Sequence, residues 1–135
     1  GNMYGVVYNV NVSGTVTSTG DNIGGVAGAI REGVVIDTVS STGITGTSSC
    51  GGVTGYIYDT TIINSKASGD VDCPGKGLGQ SGTGGLVGTA KKIGLITGSN
   101  ATGNVSSNTI SVLALITKSY SIPNCLDNIL HFQTL

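Results

Sequence analysis

Tryptophan is absent from this 135-residue chain, phenylalanine and histidine occur once each, and there are only two prolines. With five tyrosines as the main aromatic content, any core must be built from Val, Ile, Leu and Ala and must be thin. Charge is scarce as well: 10% of residues are charged and the net charge is -1, against about a quarter charged in an ordinary soluble domain. Six scattered basic residues make no stripe, which argues against a nucleic-acid partner. The lone His131 and the widely spaced Cys50, Cys73 and Cys125, none in a C-x-x-C pair, exclude a zinc knuckle. No apolar run reaches the roughly 18 to 20 residues of a membrane-spanning helix. There is no initiating Met and no signal peptide, so the expectation is one domain excerpted from a longer protein.

Glycine is what the chain has in excess, with 24 residues. Glycine this frequent, beside much Ser, Thr and Asn, is also a mark of disorder. Regularly spaced β-branched residues argue against that here. Three pentapeptides repeat: Gly24-Gly25-Val26-Ala27-Gly28, Gly51-Gly52-Val53-Thr54-Gly55 and Gly84-Gly85-Leu86-Val87-Gly88. Before each, and once more after the last, lies a ten-residue segment that aligns without gaps, beginning at Val7, Val35, Ile62 and Ile96. Its first position is always apolar, as is its tenth (Val16, Ile44, Val71, Val105). The third is Asn9, Asp37, Asn64 and Gly98; the sixth is Val12, Ser40, Ala67 and Ala101; the eighth is Gly14, Thr42, Gly69 and Gly103.

Self-similarity of this period marks a repeat architecture. Alternating apolar residues broken by glycine indicate strands of three to five residues separated by tight corners, with the middle pair of each GGxxG forming a third strand. So small a unit cannot bury its apolar face alone, whereas stacked copies can. The expected fold is therefore all-β, a parallel β-helix or β-solenoid of about four coils, with copies near 5–28, 33–55, 60–88 and 93–121. The motif glycines are read as corners that need positive φ, in a narrow interior. Asn9, Asp37 and Asn64 either hydrogen-bond along the stack or cap the corner. The stretch 74–82 is an insertion and hence a surface loop. A degenerate fifth copy, Leu115 to Ser121, precedes a short C-terminal cap over 122–135, where Leu126, Ile129 and Leu130 have helical spacing and Asn124 is a candidate N-cap.

Gly85-Leu86-Val87-Gly88, its variants Gly25-Val26-Ala27-Gly28 and Gly52-Val53-Thr54-Gly55, and the flank from Ile96 to Val105 together resemble the GLUG repeat, named for Gly-Leu-x-Gly. The resemblance covers roughly residues 5–121. It implies a β-solenoid-like stalk or display module of a large surface or secreted protein, such as an adhesin or the non-catalytic part of an immunoglobulin A-cleaving metalloprotease, and brings no catalytic residues.

Residue patterns that carry chemistry are few. Gly77 to Gly82 satisfies G-x-G-x-x-G, but Thr83-Gly84-Gly85 follows in place of the helix N-terminus that a dinucleotide pyrophosphate needs. Among seven acids only Asp70 and Asp72 share a face of one strand, and a glycosidase needs two carboxylates across a cleft. No catalytic, metal or cofactor site is expected. Cys50 and Cys73 are a candidate disulfide, on neighbouring coils, or small buried residues. Asn11, Asn100 and Asn104 head N-x-[ST] sequons and are candidate N-glycosylation sites. Tyr56 and Tyr58 form a sugar platform if both face outward; the irregular T-x-T column disfavours ice binding. The function expected is a non-catalytic structural or adhesive module at the cell surface or outside the cell. The alternatives are a carbohydrate- or ice-binding solenoid, or an accessory region of a secreted protease or polysaccharide-processing enzyme. The expected partner is a surface protein or glycan, or further copies of the repeat.

Overall fold

A computed structural model describes residues 1–74 and 82–107. The fifth copy, the C-terminal cap, Cys125, His131, and all but the ends of the 74–82 insertion lie outside the described residues. Within them the chain is all-β, and every strand pairing is parallel.

The strands fall into four tiers. The first holds β1 (Asn2–Met3), β2 (Val6–Tyr8) and β3 (Asn11–Thr17). The second holds β4 (Asp21–Gly24), β5 (Ala27–Arg31), β6 (Val34–Ile36) and β7 (Val39–Thr45). The third holds β8 (Ser48–Gly51), β9 (Thr54–Ile63), β10 (Lys66–Ala67) and β11 (Val71–Asp72). The fourth holds β12 (Thr83–Gly84), β13 (Val87–Thr97), β14 (Asn100–Ala101) and β15 (Val105–Ser106). Across the tiers they form three sheets: a first containing β1, β5, β9, β6, β2 and β13; a second containing β14, β10, β7, β11, β15 and β3; and a third of β12, β8 and β4.

Register explains the alignment columns. Val7 pairs with Val35, Val35 with Ile62, and Ile62 with Ile96. The tenth column likewise runs Val16, Ile44, Val71, Val105, and the sixth runs Val12, Ser40, Ala67, Ala101. A residue and its partner are thus one repeat apart, and apolar identity propagates from tier to tier because like side chains stack. Two buried clusters result. One is built on Ile30, Val35, Val53, Ile57, Ile62, Leu86 and Ile96; the other on Ile23, Ile44, Cys50, Val71, Cys73 and Val105.

The role expected of the glycines needs correction. None of Gly24, Gly25, Gly28, Gly51, Gly52, Gly55, Gly84, Gly85 and Gly88 has positive φ, and neither do Gly69 and Gly103. Their requirement is space. A Cβ on Gly52 would stand 2.7 Å from the Ala67 Cβ, and one on Gly85 2.6 Å from the Ala101 Cβ. The second glycine of each motif therefore touches the sixth column across the interior, which is why that column is small. Among the described residues positive φ falls instead on Gly5, on Gly14 of the eighth column, and on three columns of mostly polar residues: Asn9, Asp37, Asn64 and Gly98; Asn22 and Ser49; Glu32 and Asp59. These are the bends, and Asn or Asp tolerates the left-handed region better than other non-glycine residues do.

Strand lengths also differ from expectation. β3 and β7 have seven residues, β9 ten and β13 eleven, because Asp59 bends β9 without ending it. The middle pair of GGxxG is no separate strand: Gly25-Val26, Gly52-Val53 and Gly85-Leu86 turn the chain from the third sheet into the first. Amide hydrogen bonds continue around that turn, from Val26 N to Val53 O (2.9 Å) and from Val53 N to Leu86 O (3.0 Å).

Thr42, in the eighth column between Gly14 and Gly69, is 3% exposed, and its hydroxyl is the one buried side-chain polar atom among the described residues without a hydrogen-bond partner. Thr42→Val keeps the shape and removes that desolvated group, so denaturant unfolding should show a gain of about 1 kcal/mol. Thr42→Ser, which keeps the hydroxyl and loses a methyl, should instead cost about 1 kcal/mol. A loss on Thr42→Val would mean that the hydroxyl is partnered after all.

Candidate functional site

The interior carries a polar column that the sequence reading missed. Behind the bend at Asn9, Asp37, Asn64 and Gly98 lie Thr38, Ser65 and Ser99, each 0% exposed. The Ser65 hydroxyl accepts from the Thr38 amide (3.3 Å) and donates to the Ile63 carbonyl (3.0 Å). Ser99 accepts in turn from the Ser65 amide (3.0 Å) and donates to the Thr97 carbonyl (3.1 Å). Each hydroxyl thus satisfies the amide of the tier before it, at a bend where the strand ladder is interrupted. The signal was the fourth alignment position, which reads Thr38, Ser65 and Ser99 after Val10. Ser65→Ala strands the buried Thr38 amide and should cost about 1 to 3 kcal/mol, read as a lower urea midpoint at unchanged slope. This ladder holds backbone together and offers nothing to a substrate.

Cys50, in β8, is bonded to Cys73, which directly follows β11. The bridge sits in the second apolar cluster and joins the beginning and end of a single tier, at a sequence separation of 23. The two cysteines, expected on neighbouring coils if paired, instead share one tier, because Cys73 stands only two residues beyond Val71, the tenth-column residue of that tier.

The outer surfaces differ from sheet to sheet. On the second sheet, outward positions other than Val39 are polar: Asn11, Ser13, Thr15 and Thr17 on β3, Ser41 and Thr45 on β7, then Ser68, Asp70 and Asp72, and Thr102, Asn104 and Ser106, all exposed. Asp70 and Asp72 do share this face, but the Asp70 carboxylate accepts the Asn104 amide at 2.8 Å, a structural use. On the first sheet, two adjacent outward columns are largely apolar: Val6, Val34, Thr61 and Leu95, beside Tyr8, Ile36, Ile63 and Thr97. No charged residue interrupts them, and Val6, Tyr8 and Leu95 are 68%, 64% and 45% exposed.

Further along the same sheet Tyr56 and Tyr58 face outward together, alternating with the buried Ile57. Arg31 lies over the Tyr56 ring at 5.0 Å; Tyr56 is half-buried, while Tyr58 is 39% exposed. Lys92 Nζ donates to Asp59 Oδ2 at 2.6 Å. That hydrogen bond, and then the carboxylate charge, raises the Lys92 pKa; both groups are solvated, so the pair is worth little to stability.

Among the described residues no three His, Cys, Asp or Glu side chains gather as metal ligands would, and no helix is long and apolar enough to cross a membrane. The sequon residues Asn11, Asn100 and Asn104 lie on the outward side of the second sheet, at its first and fourth tiers. No family model matches the chain, and no solved structure matches it. In an alignment of 112 positions that covers 75% of its length, the chain is 38% identical to halomucin of Haloquadratum walsbyi, of which it spans only 1%.

Proposed function

We propose that the chain is a run of about four coils of a parallel β-solenoid of the GLUG-repeat kind. In this reading it serves as a non-catalytic structural and adhesive module, a stalk or display scaffold, in a cell-surface or extracellular protein. The observation that carries this reading is the uniform parallel pairing of each strand with the one a repeat away, 27 residues for Ala27 with Thr54 and 28 for Val7 with Val35. An array built this way is stabilised by nearest-neighbour stacking and lengthens by adding units, which suits a spacer. Similarity to a small part of a protein named as a mucin supports a place outside the cell, and the buried disulfide suits an oxidising compartment. Adhesion would run through the uncharged apolar columns from Val6 to Leu95 and from Tyr8 to Ile63, since exposed apolar surface of that kind marks contact sites. Catalysis is disfavoured by the scattering of the described carboxylates.

The architecture is tested by duplication. Inserting a second copy of residues 35–61 after residue 61 adds one period in register, and the longer chain should fold and melt higher than the parent. A closed globular core would be unfolded by so large an insertion, and that result would sink the solenoid. The role is tested by antibody labelling of intact cells and by incubation with polysaccharides. Labelling only after permeabilisation, or turnover abolished by Asp70→Asn, would overturn it.

A further inference from the structure

All three sequons of the chain head toward one face. Asn11 opens β3 in the first tier, while Asn100 in β14 and Asn104 just before β15 stand in the fourth. Asn11 and Asn100 occupy the same outward column, through Val39 and Lys66. Asn104 stands four residues on, in the column of Thr15 and Gly43. Three strand spacings of about 4.8 Å separate Asn11 from Asn100 by roughly 14 Å.

The period of a strand explains why these sequons remain usable in regular structure rather than in a loop. Successive side chains alternate faces, so the asparagine and the hydroxyl two positions later, Ser13, Thr102 or Ser106, leave the sheet on the same side. The intervening Val12, Ala101 and Val105 point inward. Asn11, Asn104 and all three hydroxyl residues are exposed, and Asn100 is half-buried. Around them the face is made of Ser, Thr, Asn, Asp, Gly and Lys66, with Val39 as its one large apolar residue. The apolar columns of Val6, Val34 and Leu95 and of Tyr8, Ile36 and Ile63 belong to a different sheet.

We propose that the outer face of the second sheet is an N-glycosylated face, carrying glycans on Asn11, Asn100 and Asn104 and leaving the first sheet bare for contacts. The inference rests on the extracellular reading above. In each transfer the asparagine Nδ2 forms a bond to the anomeric carbon of a lipid-linked oligosaccharide. The bond from that carbon to the lipid pyrophosphate breaks, and lipid pyrophosphate and a proton leave. Glycans so placed project away from both apolar clusters, so the fold tolerates all three.

The test is secretion of the full chain from a glycosylating eukaryotic host, with a control Asn-Gly-Thr sequon appended at its C-terminus. Glycopeptide mass spectrometry should find all three asparagines occupied, and the glycosylated protein should melt no lower than its enzymatically deglycosylated form. Unmodified Asn11, Asn100 and Asn104 beside an occupied control would overturn the proposal. So would a chain that is secreted folded only as the N11Q/N100Q/N104Q variant. Neither result touches the surface-module reading, which stands or falls on labelling of intact cells.

Discussion

Gly55→Ala should destabilise the protein by about 3 kcal/mol or more, enough to leave much of it unfolded at room temperature. The added Cβ falls inside contact distance of the Ser49 carbonyl oxygen and the Ile23 amide nitrogen, and 2.6 Å from the Asn22 carbonyl carbon. All three are backbone atoms held in paired strands or at a left-handed bend, so none can swing aside as a flexible side chain would. Relief would require the third sheet to move away from the first along several tiers. Gly43→Ala is the matched control, since its nearest neighbours are 3.7 and 3.9 Å away and its φ is not positive. There a methyl fits in ordinary contact, and the smaller conformational freedom of Ala in the unfolded chain should raise stability by about 0.4 to 1 kcal/mol. Urea titrations of the two variants give the comparison. Equal effects would mean that the motif glycines are replaceable and that the tight interior described above is wrong.

The second large effect is expected from the disulfide. Closing a loop of 23 residues restricts the unfolded chain by about 3 kcal/mol in the loop-entropy description, so reduction should lower the melting temperature by roughly 10 °C. Cys50→Ala combined with Cys73→Ala should melt at or below the reduced wild-type protein and should ignore reductant. The sign is the same for both because bond and side chains sit together in the second apolar cluster, where nothing else joins the two ends of the third tier covalently. Identical melting of oxidised and reduced protein would show that the two thiols are not joined.

Much of the strand arrangement is legible in the sequence because stacking forces like residues into columns. Val7, Val35, Ile62 and Ile96 align by eye and are strand partners in space. The small sixth position is visible in Ser40, Ala67 and Ala101, although only the structure supplies its reason, the glycine corner opposite. What the sequence obscures is the location of the bends outside the column of Asn9, Asp37 and Asn64. Glycine advertises positive φ, yet the left-handed residues here include Glu32 and Ser49, neither of which announces such a conformation locally; each adopts it because the strands on either side are already paired. Asp59 shows the same effect inside β9. The hydroxyl ladder of Thr38, Ser65 and Ser99 was hidden for a related reason, since a Ser or Thr in a chain so rich in both gives no sign of being buried. Of the surface, the sequons and the tyrosine pair are readable as motifs, whereas the gathering of Val6, Val34, Leu95, Tyr8, Ile36 and Ile63 on one outward face depends on which side of each strand looks inward.

The bridge within a single tier also has a mechanical meaning. When the two ends of the chain are pulled apart, the tiers can peel away one by one, but the segment between Cys50 and Cys73 cannot lengthen. At about 3.5 Å per extended residue, that sequence separation of 23 withholds about 80 Å of reach until the sulfurs are reduced. A stalk made of such units would yield in shorter steps outside the cell than after reduction, its slack locked into closed loops that flow or shear alone cannot open.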